Sequence, residues 1–173
     1  MAGPYVVVFS GMPLTGKSTL ARMLASAMAL PWIDVDEIRQ EFFPNPERKL
    51  VPQNRETFIM TTAYAVQAAR VLQLLNYGAR GVILSGTFSR PEFKEPLHRL
   101  HSVLMDEKIE MRGFLLTASD GEVERRILVR QREGNVSNID TIEKFRWAKG
   151  FFESIQFIRM VRIDTNKSIS DCC

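Results

Sequence analysis

Gly11-Met12-Pro13-Leu14-Thr15-Gly16-Lys17-Ser18-Thr19 follows the apolar run Tyr5-Val6-Val7-Val8-Phe9 and leads into residues with helical periodicity. The stretch fits G-x-x-x-x-G-K-[ST], the pattern of a phosphate-binding loop between a buried strand and a helix. Nucleotide phosphates need inward-turned backbone N–H groups, a mobile cation and a hydroxyl for Mg²⁺. Gly11 and Gly16 permit conformations and a close approach that a Cβ hinders. A helix starting near Lys17 turns its unpaired N–H groups and its positive end toward the anion. Lys17 is therefore the candidate for the β- and γ-phosphates and Ser18 the candidate magnesium ligand. The whole loop from Gly11 to Thr19, with Met12, Pro13, Leu14 and Thr15 inside it, is the expected binding surface for ATP with Mg²⁺. Nothing in the loop separates ATP from GTP.

The chain has 173 residues, 45% hydrophobic and 25% charged. That composition predicts one domain over 1–173, large enough to bury about 70% of the unfolded surface. No run approaches the roughly 18 uninterrupted apolar residues of a membrane span. The N-terminus lacks a basic segment followed by a small-residue cleavage site. The expectation is a cytoplasmic protein with no membrane partner. Cys172 and Cys173, the two cysteines, sit together at the tail, where they neither staple a core nor supply a metal site. A net charge of +3 is too small to argue nucleic-acid binding, since any phosphate-handling cleft carries basic groups.

Outward from the loop, Tyr5 to Phe9 reads as a central parallel strand covered on both faces. Leu20, Met23, Leu24, Ala27 and Met28 recur at helical spacing and mark the inner face of a helix ending before Pro31. Trp32-Ile33-Asp34-Val35 reads as a short strand that delivers Asp36-Glu37-Ile38-Arg39 to the end of the sheet carrying the loop. Residues 43 to 53, with Pro44, Pro46 and Pro52, predict an irregular connection bordering a substrate pocket. A helix follows over 55–77, with Phe58, Thr62, Ala65, Ala69 and Leu72 as its apolar stripe. Gly81 to Ser85 reads as a buried strand running into Gly86-Thr87-Phe88-Ser89-Arg90, with Pro91 opening the next helix. A strand is expected over 109–117 and an arginine-rich helix over 122–133. A break at 134–138 precedes a helix over 141–154 with Ile142, Phe145, Ala148, Phe151 and Phe152 inward. A last strand spans 158–163. Alternating strands and helices predict an α/β class: a single three-layer domain with a mostly parallel, five-stranded sheet.

Taken in order, Gly11-x4-Gly16-Lys17-Ser18, Asp36-x2-Arg39, Ser85-Gly86-Thr87-Phe88 and the arginine-rich helix before Val136-Ser137 give the chain its likeness. It resembles the P-loop kinase group of 5′-hydroxyl polynucleotide kinases, chloramphenicol phosphotransferase-like and zeta-toxin-like kinases. The resemblance implies a P-loop NTPase fold with an arginine-rich helical lid over about 119–140. It implies that Asp36 is the general base on the acceptor hydroxyl and that Arg39 holds an anionic substrate group or Asp36 itself. Thr87 is carried over to the acceptor side. The lid arginines of such kinases reach the phosphates opposite Lys17, which makes Arg126 and Arg130, four apart on one helix face, the candidates, with Arg132 in reserve.

The residues also admit plainer readings. Asp36 is a favoured helix N-cap, although Arg39 is not the Glu or Gln of a capping box. Asp34 reads first as the end of a strand and second as magnesium support. The arginines could form a solvated face paired with Glu122, Glu124 and Glu133. Where the related kinases carry an acid before the threonine of the third-strand motif, this chain has Gly86. That leaves Ser18, phosphate oxygens and water as the metal shell, with Asp34 or Asp36 beside them. Asp164-Thr165-Asn166 lies where related kinases pass the adenine, and equally reads as a plain turn. His98 and His101 lack a third ligand and read as surface residues, and Trp32 and Trp147 as core or groove aromatics.

The leading expectation is an enzyme, a P-loop kinase moving the γ-phosphate of ATP to a hydroxyl of a small-molecule or nucleotide-like acceptor. A polynucleotide 5′-hydroxyl kinase is the alternative in the same class, with nucleic acid as its partner, and Gly86 and the modest charge count against it. A non-catalytic ATP- or GTP-binding regulator is the alternative of another class, and the Asp36-x2-Arg39 unit counts against that.

Overall fold

The apolar runs of the sequence become the strands of one sheet, in a computed structural model that describes residues 3–44, 55–134 and 139–166. Its strands are β1 (Tyr5–Gly11), β2 (Trp32–Asp34), β3 (Gly81–Ser85), β4 (Glu110–Thr117) and β5 (Met160–Asp164). They lie in the order β2-β3-β1-β4-β5, with every neighbouring pair parallel. The expected mostly parallel sheet is thus wholly parallel, and β1 sits at its centre. Phe9 and Asp34 both pair with Ser85, so β2 and β3 end level with one another, while β1 runs two residues further, to Gly11.

Alternation along β1 sends its side chains to two cores. Val6 and Val8 point into a cluster under the helices α3 (Arg55–Asn76) and α4 (Pro91–Asp106), with Tyr64, Val71, Leu84 and Leu97. Val7 and Phe9 point into a second cluster under α1 (Lys17–Met28), with Ala21, Ala25, Ile83 and Leu116. This is the three-layer arrangement expected. A third cluster joins Met12 and Leu14 of the loop to Val123 and Ile127 of α5 (Asp120–Arg132) and Phe145 of α6 (Ile142–Lys149). The variable positions of the loop are therefore anchors as well as spacers.

The helix faces differ from the periodicity reading. On α1 the buried residues are Ala21 and Ala25, while Met23 is 47% exposed. Leu20, Leu24 and Met28 flank them, so the small alanines make the contact with the sheet. On α3 the buried row is Ile59, Ala63, Tyr64, Gln67 and Val71, and Phe58 and Ala65 face outward. The displaced stripe has a physical cause: Gln67 and Tyr64 are polar but inward because the backbone needs them there. Gln67 Nε2 donates to the carbonyls of Ile33 at 3.0 Å and Ser85 at 2.9 Å. The helix is apolar and long enough, by composition, to cross a membrane, yet that buried row lies on the sheet. α6 ends at Lys149, shorter than expected, and Phe151 and Trp147 are exposed with their rings 5.0 Å apart. Of the expected proline-bearing loop at 43–53, residues 45–53 lie outside the described residues, as do residues 135–138 of the expected break, and Cys172 and Cys173.

Replacing Gln67 by leucine keeps the volume and removes the donor to two interior carbonyls. Urea denaturation of Gln67→Leu is expected to show a loss of about 1–3 kcal/mol. An unchanged midpoint would mean that the amide contributes nothing to joining β2 and β3.

Candidate active site

β1 runs out at Gly11, whose φ is +145°, and the chain then turns through Leu14 at +67° and Gly16 at +87°. A Cβ on Gly11 would strike the Leu116 carbonyl of β4, so that position needs glycine by space as well as by angle. Gly16 is the N-cap of α1 without a side-chain cap, and no acid lies in the first turn. The N–H groups that begin the helix are thus left for an anion. Thr15 Oγ1 donates to the Met12 carbonyl at 2.8 Å, and Lys17 Nζ donates to the same oxygen at 2.8 Å. The loop thereby holds its lysine on a neutral acceptor that a phosphate oxygen can replace. Burial lowers Lys17 to about 8, against the opposing pull of Asp36 and Asp34 and with a smaller push from Arg130 in the same direction.

Asp34 ends β2 and is itself the N-cap of α2 (Val35–Phe42). Its Oδ1 accepts from the Asp36 backbone N–H at 2.8 Å. Its Oδ2 accepts from Ser18 Oγ at 2.8 Å and Ser85 Oγ at 2.6 Å. Asp34 is 5% exposed. The capping role weighed for Asp36 therefore belongs to Asp34, which does more than end a strand: it binds the serine of the phosphate loop. The alternation of Asp34 and Asp36 was the only trace of this in the sequence, and Ser85 carried none.

Freed from capping, Asp36 turns outward with its side chain 66% exposed. Desolvation in its surroundings and the nearby Asp34 carboxylate raise its carboxyl above the ordinary range, while Arg39, Lys17 and Arg130 pull it down. Arg39 Nε stands 3.5 Å from Asp36 Oδ1, one helical turn along, and finds no hydrogen-bond partner among the described residues. Asp36, Arg39 and Lys17 thus share one electrostatic neighbourhood beyond the C-terminal ends of β1, β2 and β3, the place where open α/β sheets bind ligands.

Gly86 has a packing reason. A Cβ there would stand 2.9 Å from the rings of both Tyr64 and Phe88, so an acid in that position would collide with the aromatic wall. Tyr64 and Phe88 lie with ring centres 4.8 Å apart, and Phe88 adopts a left-handed φ of +49°. Tyr64 Oη accepts from the backbone N–H groups of Thr87 at 3.1 Å and Phe88 at 3.0 Å. Ser10 Oγ donates to the Thr87 carbonyl at 3.2 Å. Thr87 is therefore fixed through its backbone beside the loop, and among the described residues no hydrogen bond engages its hydroxyl. Sequence reasoning missed Tyr64, because it sits in the displaced row of α3.

The two candidate arginines of α5 separate. Arg126 is committed at every nitrogen: Nε to Glu122 at 2.7 Å, Nη1 to the Leu14 carbonyl at 2.8 Å and to Thr165 Oγ1 at 3.2 Å, and Nη2 to the Thr165 carbonyl at 2.5 Å. Thr165 Oγ1 in turn lies 3.0 Å from the Thr15 carbonyl. Arg126 and Thr165 together clasp the back of the loop. Arg125 and Arg126 hold Glu122 down to about 2. Arg130, one turn beyond Arg126, is exposed, and its charge is felt by both Lys17 and Asp36.

His98 and His101 lie on the flank of α4 against Phe157, with ring distances of 4.8 and 5.7 Å. Among the described residues no cluster of three metal-ligating side chains occurs. The groups at the loop suit Mg²⁺ in another way, because Ser18 and Asp34 are hard oxygen donors at the edge of a phosphate site, where Mg²⁺ needs few protein ligands.

Residues 6–154 match the family model described as an AAA domain. No curated protein sequence matches the chain. Among solved structures, a provisionally named kinase from Chloroflexus aurantiacus is similar over 95% of this chain and 87% of its own, at 24% identity and a TM-score of 0.72. A gluconokinase from Sinorhizobium meliloti covers 99% of this chain and 89% of its own, at 16% identity and a TM-score of 0.60. The APS kinase of Mycobacterium tuberculosis, solved with AMPPNP and APS, covers 99% and 94%, at 15% identity and a TM-score of 0.61. At these identities the likeness establishes the fold, an α/β domain of the P-loop kinase type.

The lowered Lys17 carries a pH signature. Between about 8 and the ordinary lysine range the free site has lost a proton that the unfolded chain keeps, so this group's contribution to stability rises with pH there. A phosphate beside Lys17 would favour the charged form, so nucleotide binding is expected to take up a proton and to weaken as pH climbs above about 8. Calorimetry in buffers of different ionisation enthalpy is expected to show this uptake at pH 9. Constant affinity and no uptake between pH 7 and 9.5 would place Lys17 away from the phosphates.

Proposed function

The chain belongs to this AAA domain family, and from that premise we propose that it is an ATP-dependent phosphotransferase that moves the γ-phosphate to a hydroxyl of a small-molecule acceptor. The observation that carries the reading is the pairing of two half-sites: a phosphate loop with a buried lysine, and an outward carboxylate beside an arginine without a hydrogen-bond partner at its Nε. A protein that only binds nucleotide has no use for the second half. The kinases of gluconate and of APS that share the fold are consistent with a small acceptor.

In this reading the loop N–H groups and Lys17 hold the β- and γ-phosphates, and Gly11 to Thr19 form the cradle. Mg²⁺, when bound beside Ser18 and Asp34, supplies neutralisation of phosphate charge. Asp36 accepts the proton of the acceptor hydroxyl as the new oxygen–phosphorus bond forms. Its carboxyl, raised by desolvation and by the neighbouring Asp34 carboxylate, makes it a better base than an ordinary aspartate. Arg39 holds Asp36 and an anionic group of the acceptor, and the Thr87 hydroxyl offers a further contact. Arg130 reaches the phosphates from the lid. Arg126 keeps the loop in shape rather than meeting charge directly, which refines its assignment as a catalytic group.

Lys17→Ala is expected to abolish transfer. Asp36→Asn is expected to keep ATP binding and to lose about 10²–10⁴-fold in turnover, along with the acid limb of the pH–rate profile. The test is a phosphorylation screen of sugars, nucleosides, antibiotics and 5′-hydroxyl oligonucleotides with γ-labelled ATP. Transfer to an oligonucleotide, with affinity falling as salt rises, would move the acceptor to nucleic acid. Normal turnover in Asp36→Asn would remove it as the base, and slow hydrolysis with no acceptor labelled would favour a nucleotide-binding regulator.

A further inference from the structure

We propose that Trp32 and Ser85 are positioning residues that fix the direction of the Ser18 hydroxyl for magnesium, an inference that rests on the magnesium role given to Ser18 above. The indole N–H of Trp32 donates to Ser85 Oγ at 2.8 Å. Ser85 Oγ donates to Asp34 Oδ2 at 2.6 Å, and Ser18 Oγ donates to the same oxygen at 2.8 Å.

The polarity of this chain follows from the chemistry of its ends. An indole nitrogen only donates, and an ionised carboxylate only accepts. Ser85 Oγ must therefore accept from Trp32, and its one proton is directed onto Asp34. Ser18 must likewise spend its proton on Asp34, which leaves its oxygen lone pairs for a cation. A free serine rotor would present its proton to that cation for part of the time. Three neighbours keep the chain from turning over. Asp34 Oδ1 is held by the Asp36 N–H. The Ser85 and Ile33 carbonyls are held by Gln67. Trp32 is held from its other side by Arg22, whose guanidinium carbon lies 4.9 Å from the ring centre.

Ser85 is fully buried and Asp34 nearly so. Trp32 sits on the edge strand and lines a cavity of about 240 Å³ together with Glu37, Arg70 and Gln73. A smaller ring there extends a space already open, so Trp32→Phe is expected to fold. It keeps the aromatic face for Arg22 and removes only the donor. Ser85→Ala strands the indole N–H and carries the greater folding risk, so Trp32→Phe decides alone if Ser85→Ala is unfolded.

The experiment is calorimetric binding of AMPPNP to the full chain, with Mg²⁺ and then with EDTA. Wild-type protein is expected to bind more tightly with Mg²⁺. In Trp32→Phe and Ser85→Ala this gain is expected to shrink about tenfold, while the constant in EDTA stays within about twofold, as befits groups that orient a metal ligand. The double variant is expected to lose no more than Ser85→Ala, because both act through one hydroxyl. An undiminished gain in folded Trp32→Phe, equal losses with EDTA, or additive losses in the double variant would overturn the proposal. If wild-type protein gains nothing from Mg²⁺, the magnesium role of Ser18 is itself wrong, and this inference falls with it.

Discussion

A carboxylate taken out of water must be met by donors, and at the end of β2 three of them converge on Asp34 from separate parts of the chain. Ser18 belongs to the first turn of the helix after the phosphate loop, Ser85 to the strand beside β2, and the Asp36 N–H to the helix that carries the candidate base. Removing the carboxylate would unlink all three at once. The sheet makes the convergence possible, because Phe9, Ser85 and Asp34 stand level in adjacent parallel strands. The phosphate loop is thereby tied through Asp34 to the helix that carries Asp36 and Arg39.

The loop is held a second time, from behind. Met12 and Leu14 are buried against α5 and α6, and the carbonyls of Leu14 and Thr15 are engaged by Arg126 and Thr165. A charged guanidinium with four directed contacts is stronger than a neutral donor and has little freedom left. The same helix presents Arg130 one turn further on. The two arginines thus differ: Arg126 is hydrogen-bonded at every nitrogen, whereas Arg130 is exposed and its charge is felt by Lys17 and Asp36.

Much of this was legible in the sequence because the signals were local. The strand, loop and helix around Gly11 to Thr19, the alternation of elements, and the pairing of Asp36 with Arg39 all follow from spacing. What escaped was set by partners far along the chain. The inner face of α3 is one residue away from its apolar stripe, because Gln67 and Tyr64 satisfy backbone groups of β2, β3 and the turn after it. Gly86 read as a missing acid, whereas two aromatic rings forbid a side chain there. The cap weighed as the plainer reading of Asp36 is made by Asp34, two residues earlier, which leaves Asp36 outward. In each case hydropathy alone had no means of registering a long-range hydrogen bond or a ring.

The central claim is that this loop and the groups around Asp34 form the donor half of a phosphotransferase site, and a crystal structure with Mg²⁺ and AMPPNP tests it most directly. The triphosphate is expected on the N–H groups of residues 11 to 18, with Lys17 Nζ moved from the Met12 carbonyl to phosphate oxygens. The metal is expected on Ser18 at about 2.0–2.1 Å. Phosphates bound elsewhere, with Lys17 still on Met12 and no metal at Ser18, would contradict the account.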